Sequence, residues 1–538
     1  MKRSGPGLGV WLTAVFAAVV LSHLLLLASP PLARTEVHRA LVAMDALDHG
    51  HWVVTSILGE TYLRKPPFHP WVLAACSWLF DTREAWVFRL PTILAAGGSA
   101  VWLAWLGSRW FGGRAGVLSG FAFLWLFALW AQNRTAEIDG LNTLLALLVW
   151  GGLTELVMGR ARRPWRWSLL IAWSLGAALL TKGPACLTVV LPALIAPTLA
   201  GFGVRWLLRP AVWLPIVAGV LLAAGWFVAV DRLTAGAGAS VEQAGVNELV
   251  GRFTSRLTAD YLLDVVSMPL LLIAYSLPVS LASLAAVYPS VRAGFVRSTR
   301  RRLVACVWGF GLGCLLSVVF LLENPRYGYI LLPLLTLPAG VMLDRWLDRR
   351  LPEWLMVHVG RIAVVAGAGA LAGLAAMVVS VWPVTATGAM LLVCVLVPLL
   401  LLVVVRGRAL APAGWLLVGT VALGATSMGY SGLKHADRYR FSSATAAGLI
   451  AEHVDRGEAV VAGKLWNDKP GLFYYAGVVP RRLLDEALEG DAPGVTGWYV
   501  LYPFEVEQME AAYPGRVEVV EEIEGERLNA RLVRLTRR

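Results

Sequence analysis

The sequence predicts a mainly α-helical protein, a polytopic transmembrane bundle followed by a small soluble α/β domain. Three observations carry that expectation. Apolar runs of spanning length recur through most of the chain, basic residues crowd into alternate loops, and at about Lys434 charge rises while the apolar runs shorten to strand length.

Of the 538 residues, 58% are hydrophobic and 15% charged, with a mean hydropathy of +0.66. A soluble fold of that composition lacks the polar surface to cover itself. A spanning helix takes roughly 20 mainly apolar residues, because a hydrocarbon core of about 30 Å is crossed at about 1.5 Å per residue. The net charge of +12 would suit a nucleic-acid binder in a soluble chain. Here the arginines stand in short loops between apolar runs, which is the pattern of membrane topology, so membrane lipid and not nucleic acid is the expected surrounding. Cys76, Cys186, Cys306, Cys314 and Cys394 lie in or beside apolar stretches without paired spacing or histidine companions, as small packing residues do.

Placing the Arg-rich loops in the cytoplasm gives one consistent solution of about 13 spans. They are drawn at 8–28, 86–107, 115–131, 140–158, 168–181, 184–200, 211–230, 265–287, 303–322, 327–343, 362–382, 387–405 and 412–430. The first could be a cleaved signal sequence, but its apolar region is long for one and no A-x-A site is clear. The N-terminus then lies in the cytoplasm. The other face receives the loop 29–85, the loops 131–140, 231–264 and 323–326, and the tail, so the division is a membrane domain over 1–432 and an extracytoplasmic domain over 433–538. In that tail SSATAAGLIAEHV is amphipathic, EAVVAGKL and GWYVLYP read as buried strands, EVEQMEAAY as a helix, and RLNARLVRL as an edge strand.

Most polar chemistry falls in the outer loops. Glu36, His38, Arg39 and Asp45 recur at helical spacing after the first span, either as the solvated face of a juxtamembrane helix or as a general base beside the bilayer. Tyr62-Leu63-Arg64-Lys65-Pro66-Pro67 holds two cations on a stiffened backbone, suited to a lipid phosphate or to snorkelling. Arg134, Glu137 and Asp139 sit where the chain re-enters the membrane, a place where acids line a cavity or pair with a cation, while Asp139 could instead cap the next helix. Thr181-Lys182-Gly183-Pro184 interrupts a long apolar run, and Glu323-Asn324-Pro325-Arg326-Tyr327 joins two later spans. Lys65, Lys182 and Arg326 together would form a cationic ring, the guanidinium being a good phosphate clamp.

In this order the motifs resemble the GT-C glycosyltransferases, and most closely the bacterial aminoarabinose transferase-like enzymes related to the protein O-mannosyltransferases. The likeness runs from about Thr35 to Pro338 and is carried by TEVHRALVAMDALDHGHWVV, YLRKPPFHPWVL, the second-loop Asp139, TKGP and the late RYGYILLP. It implies a bacterial inner-membrane enzyme that moves a sugar from a polyprenyl-phosphate carrier to a lipid, glycan or protein acceptor, with inversion. Glu36 and Asp139 would be catalytic. Lys65, Arg64, Lys182, Arg326, Tyr62, Glu137, Arg134 and Tyr327 would bind substrate. Three positions depart from the family pattern: Thr35 stands where an Asp is usual, Arg64 where a Glu is, and Leu249 where a His is. The last two are associated with a bound metal in the aminoarabinose branch, so no metal is expected there and no cofactor is called for. Two other readings are a transporter or flippase of lipid-linked substrates and a weakly active scaffold. The sequence shows no inverted repeat in favour of the former, and Thr35 favours the latter.

Overall fold

The computed structural model describes residues 7–24, 31–32, 35–234, 259–320, 324–352, 443–462, 470–482, 497–525 and 528–536. The expected spans at 362–382, 387–405 and 412–430, and Leu249, lie outside the described residues.

Among the described residues, six helical runs are long and apolar enough to cross a membrane: Ala85–Phe111, Ile138–Val157, Pro164–Phe202, Pro210–Thr234, Arg297–Val319 and Pro325–Leu347. A bent pair, Tyr261–Tyr275 with Val279–Val287, makes the number up to seven. Leu8–Leu24 and Phe68–Phe80 are shorter apolar helices.

Three expected spans differ in detail. The stretch drawn at 115–131 is a helix over Gly113–Ala122, a tight turn over Phe123–Trp125 and a second helix over Phe127–Gln132. Leu126, at φ −87° and ψ 77°, breaks the helix between them. The stretch drawn at 265–287 bends by 98°, where Pro278 cannot continue the helical hydrogen bonds. The third, drawn at 327–343, opens as a 3-10 helix over Pro325–Leu335 before becoming α-helical over Thr336–Leu347. The Pro164–Phe202 run is interrupted as expected, since Pro164–Lys182 ends at Gly183, whose φ is 64°.

The chain forms two compact units. One comprises Met1–Leu25, Leu63–His69 and Arg89–Ser431. Within it Ile138–Val157 is buried along nearly its whole length, packed against Pro164–Lys182 and Leu187–Pro197. Pro210–Thr234 instead exposes Leu214, Val217, Leu221 and Val228, a face that only lipid can solvate. Helix contacts are close enough to require glycine. A Cβ on Gly116 would come within 2.0 Å of the Ser108 nitrogen, and one on Gly340 within 2.1 Å of Ser119 Oγ, so backbones touch where a side chain would hold them apart.

The second unit comprises Leu26–Tyr62, Pro70–Phe88 and Gly432–Arg538. It contains the helix Thr35–His49 and a two-strand ladder, β1 (Ser56–Ile57) with β2 (Glu60–Thr61). Its larger sheet has five strands: β3 (Ala459–Ala462), β4 (Val479–Arg482), β5 (Gly497–Leu501), β6 (Val517–Gly525) and β7 (Leu528–Leu535). They run in the order β4-β3-β5-β7-β6. β3 lies parallel to β4 and β5, while β7 is antiparallel to β5 and β6. The last strand is therefore interior rather than an edge. Its alternation feeds two cores, Ala530 and Leu532 packing with Ile450, Leu472 and Phe473, and Val533 and Leu535 with Val506 and Met509. The edges are β4 and β6, and the glutamates of β6 discourage further strand pairing.

Candidate functional site

Asp139 is the second residue of the Ile138–Val157 helix. The cap position belongs to Glu137, extended at φ −101° and ψ 153°, and makes no side-chain capping bond. The capping role weighed for Asp139 is thus not what the fold builds. Its carboxylate serves distant partners instead. Oδ1 accepts from Lys182 Nζ, while Oδ2 accepts from Arg326 Nε at 2.6 Å and Gln132 Nε2 at 3.0 Å. Arg326 Nη2 reaches Glu137 Oε2 at 2.9 Å, so one guanidinium bridges both acids.

Each group is placed by a helix end. Lys182 is the last residue of Pro164–Lys182, where a cation complements the helix dipole, and the left-handed Gly183 turns the chain immediately after it. Arg326 opens the Pro325–Leu335 turn, its backbone N–H held at 2.9 Å by the Asn324 side chain. Asp139 occupies the first turn of its helix, the end that favours an anion. The Tyr327 ring lies under Lys182 Nζ at 4.8 Å, and Arg134 stacks over Trp130 at 4.8 Å.

Burial decides what this cluster can do. The side chains of Glu137, Asp139 and Lys182 are 7%, 6% and 10% exposed, whereas Arg326 is 35% exposed. Two cations face two anions, so these four charges balance, as charges buried near lipid must. Asp139 has both oxygens engaged by cations, which hold the carboxylate in one orientation. Arg326 commits Nε and Nη2 to the acids, two of the five N–H donors a guanidinium offers.

Among the residues expected from sequence, Glu137, Asp139, Lys182, Arg326 and Tyr327 are therefore brought together. Arg64 and Lys65 stand on the segment ahead of Phe68–Phe80, Arg64 exposed and Lys65 half-buried beside buried Pro66 and Pro67. A guanidinium has no lone pair to give a metal, so Arg64 does not fit the ligand position that the family resemblance raised. In the second unit Glu36 lies in the first turn of Thr35–His49 and is buried, as are Arg39 and Asp45. That helix does not present them as a solvated face. Arg39 Nη1 donates to the Tyr62 hydroxyl at 2.9 Å, and the His38 ring lies 6.3 Å from that of Tyr62. Three supporting groups escaped the sequence reading: Gln132, Asn324 and Trp130. Gln132 did leave a signal, as the first polar side chain to break the run FAFLWLFALWA.

Six helical runs of spanning length define this as a membrane-integral protein, and buried acids paired with cations at helix ends form a polar site within it. A family model described as dolichyl-phosphate-mannose-protein mannosyltransferase matches residues 64–228, a stretch holding Lys65, Arg134, Glu137, Asp139 and Lys182. Comparison with curated proteins gives no match. Among solved structures the chain is similar to ArnT from Cupriavidus metallidurans in its apo state, at 19% identity over 98% of each chain with a TM-score of 0.67. It is similar also to ArnT from that organism bound to undecaprenyl phosphate, at 19% identity over 97% of this chain and 98% of the other, with a TM-score of 0.66. The fold is that of these ArnT structures.

Proposed function

We propose that this protein is a glycosyltransferase that takes a sugar from a polyprenyl-phosphate carrier and passes it to a lipid, glycan or protein acceptor of the bacterial envelope. It would do so on the extracytoplasmic side of the inner membrane, with the N-terminus in the cytoplasm. The observation that carries the reading is the balanced cluster of Asp139, Glu137, Lys182 and Arg326, set in a fold shared with an ArnT bound to undecaprenyl phosphate.

The chemistry is a single displacement with inversion at the anomeric carbon. The bond from that carbon to the carrier phosphate breaks, the bond to the acceptor oxygen forms, and the acceptor proton passes to a carboxylate. Glu36 is our candidate for that base. Arg326 supplies its uncommitted N–H donors to the departing phosphate oxygens, which gain charge as the bond breaks. Asp139 and Glu137 fix the plane of that guanidinium, so no reorganisation is needed when the charge develops. Lys182, Lys65, Arg64 and Arg134 add positive potential for the same phosphate, and Tyr62 and Tyr327 contribute donor contacts. Asp139 acts as a positioning residue.

The test is transfer of radiolabel from a polyprenyl-phosphate sugar pool to envelope acceptors by the purified protein, beside Glu36→Gln, Lys65→Ala and Arg326→Ala. The expected result is transfer by the wild type, with each variant slowed by about 100-fold or more, the scale of a lost general base or charge-stabilising donor. Lipid-phosphate binding without transfer from any pool would overturn it in favour of a flippase or of the scaffold reading that Thr35 supports.

A further inference from the structure

The C-terminal end of the Thr35–His49 helix carries a second arrangement that the transfer chemistry does not use. His49 Nδ1 lies 3.1 Å from Asp45 Oδ1, and His51 Nδ1 lies 2.8 Å from Asp45 Oδ2. One ligand atom from each residue falls within 4.8 Å of the other two. The carboxylate is buried with its side chain 9% exposed, while the two imidazoles are 65% and 49% exposed. Solvent thus reaches the open side of the cluster.

Local backbone geometry explains why three residues so close in sequence converge. Asp45 and His49 are one helical turn apart and share a face. Gly50, at φ 75°, ends the helix in the left-handed conformation, with its N–H bonded to Ala46 O at 3.2 Å. That reversal carries His51 back over the carboxylate of Asp45. Ser56, from β1, donates to Asp45 Oδ2 at 2.5 Å, a supporting hydrogen bond of the kind that orients metal ligands. The free carbonyls of the helix end add negative potential at the same place.

We propose that Asp45, His49 and His51 bind one divalent transition-metal ion of the zinc class, with water completing its coordination. Bonds of about 2.0–2.1 Å in a tetrahedral shell set ligand atoms roughly 3.3 Å apart, close to the two separations already present. Two imidazoles and one carboxylate are a donor set suited to zinc, cobalt or nickel and poor for calcium or magnesium. The proposal rests on residues other than Arg64 and Leu249, and it revises the expectation of a metal-free chain. The ion would fasten the end of the helix to the segment that leads into β1.

The experiment uses the full chain in detergent, free of a histidine tag, stripped with chelator and titrated calorimetrically with Zn²⁺. One ion per chain is expected, with affinity lowered by more than about tenfold in Asp45→Asn, His49→Ala and His51→Ala, and by about tenfold in Ser56→Ala. His453→Ala should leave binding unchanged. Footprinting of the wild type with diethylpyrocarbonate needs no variant. Coordination through Nδ1 keeps the proton on Nε2, so Zn²⁺ should protect His49 and His51 but not His453. Absence of stoichiometric binding, or binding that leaves His49 and His51 as reactive as before, overturns the proposal and leaves Asp45 as a hydrogen-bond acceptor alone.

Discussion

Replacing Asp139 with Asn tests the charged cluster directly. The amide keeps one acceptor oxygen but turns an N–H donor toward either Lys182 or Arg326, and it removes the charge that both cations share. Breaking a buried pair by deleting one partner costs about 3–5 kcal/mol. The lower end of that range applies here, because Arg326 is 35% exposed and water can take up part of its charge. Lys182→Met should cost a similar amount, since it strands the carboxylate. The double variant removes both members and leaves the Arg326–Glu137 pair, so its loss should fall short of the sum of the single losses by about 2 kcal/mol. Tryptophan-monitored thermal unfolding at one detergent concentration and one scan rate gives the comparison. Strictly additive midpoint shifts, or single variants as stable as the wild type, would refute the view that these charges neutralise one another.

Three further outcomes follow from the second unit. Tyr62→Phe removes the acceptor of buried Arg39 and should lower stability by about 1–3 kcal/mol, read as a lower midpoint in the same unfolding assay. Gly50→Ala meets nothing within 4 Å, so any loss, expected near 1 kcal/mol, measures the backbone strain of φ 75° alone. Tyr499 is buried with no hydrogen-bond partner for its hydroxyl among the described residues, and burial pushes its phenol up to about 12. Above its ordinary value near 10, the unfolded chain releases a proton that the folded chain keeps, so this contribution is lost as pH rises from about 10 toward about 12. Tyr499→Phe should therefore gain about 1 kcal/mol at neutral pH by removing an unsatisfied hydroxyl and should flatten the alkaline fall in stability.

The legible parts of the sequence were those that one helical turn or one strand can express. The run through Glu36, Arg39 and Asp45 declared a helix at its own spacing, and Thr181-Lys182-Gly183-Pro184 declared a break through its glycine and proline. Leu126 gave no such notice, because FAFLWLFALW contains neither residue. RLNARLVRL read as an edge strand because alternation reports which faces are buried and not how many neighbours are hydrogen-bonded. Residue types at the charged cluster could be singled out, but their pairing could not. Periodicity says nothing about partners separated by 43 and 187 residues, so the sequence left Asp139 between lining a cavity, pairing with an unnamed cation and capping its helix.

Those separations also set a timetable for assembly. A ribosome adding about 5–20 residues per second delivers Lys182 within roughly ten seconds of Asp139, but Arg326 only about ten to forty seconds after it. Asp139 and Lys182 stand at the ends of adjoining helices and can enter the bilayer as a neutral couple, sparing each part of the cost of a lone charge, which is about 2.5–3.5 kcal/mol at mid-helix and smaller toward a helix end. The Arg326 contacts to Glu137 and Asp139 form only after that interval. Arrival of the Pro325–Leu335 turn then joins three helix ends, those that carry Asp139, Lys182 and Arg326, into a single charged cluster.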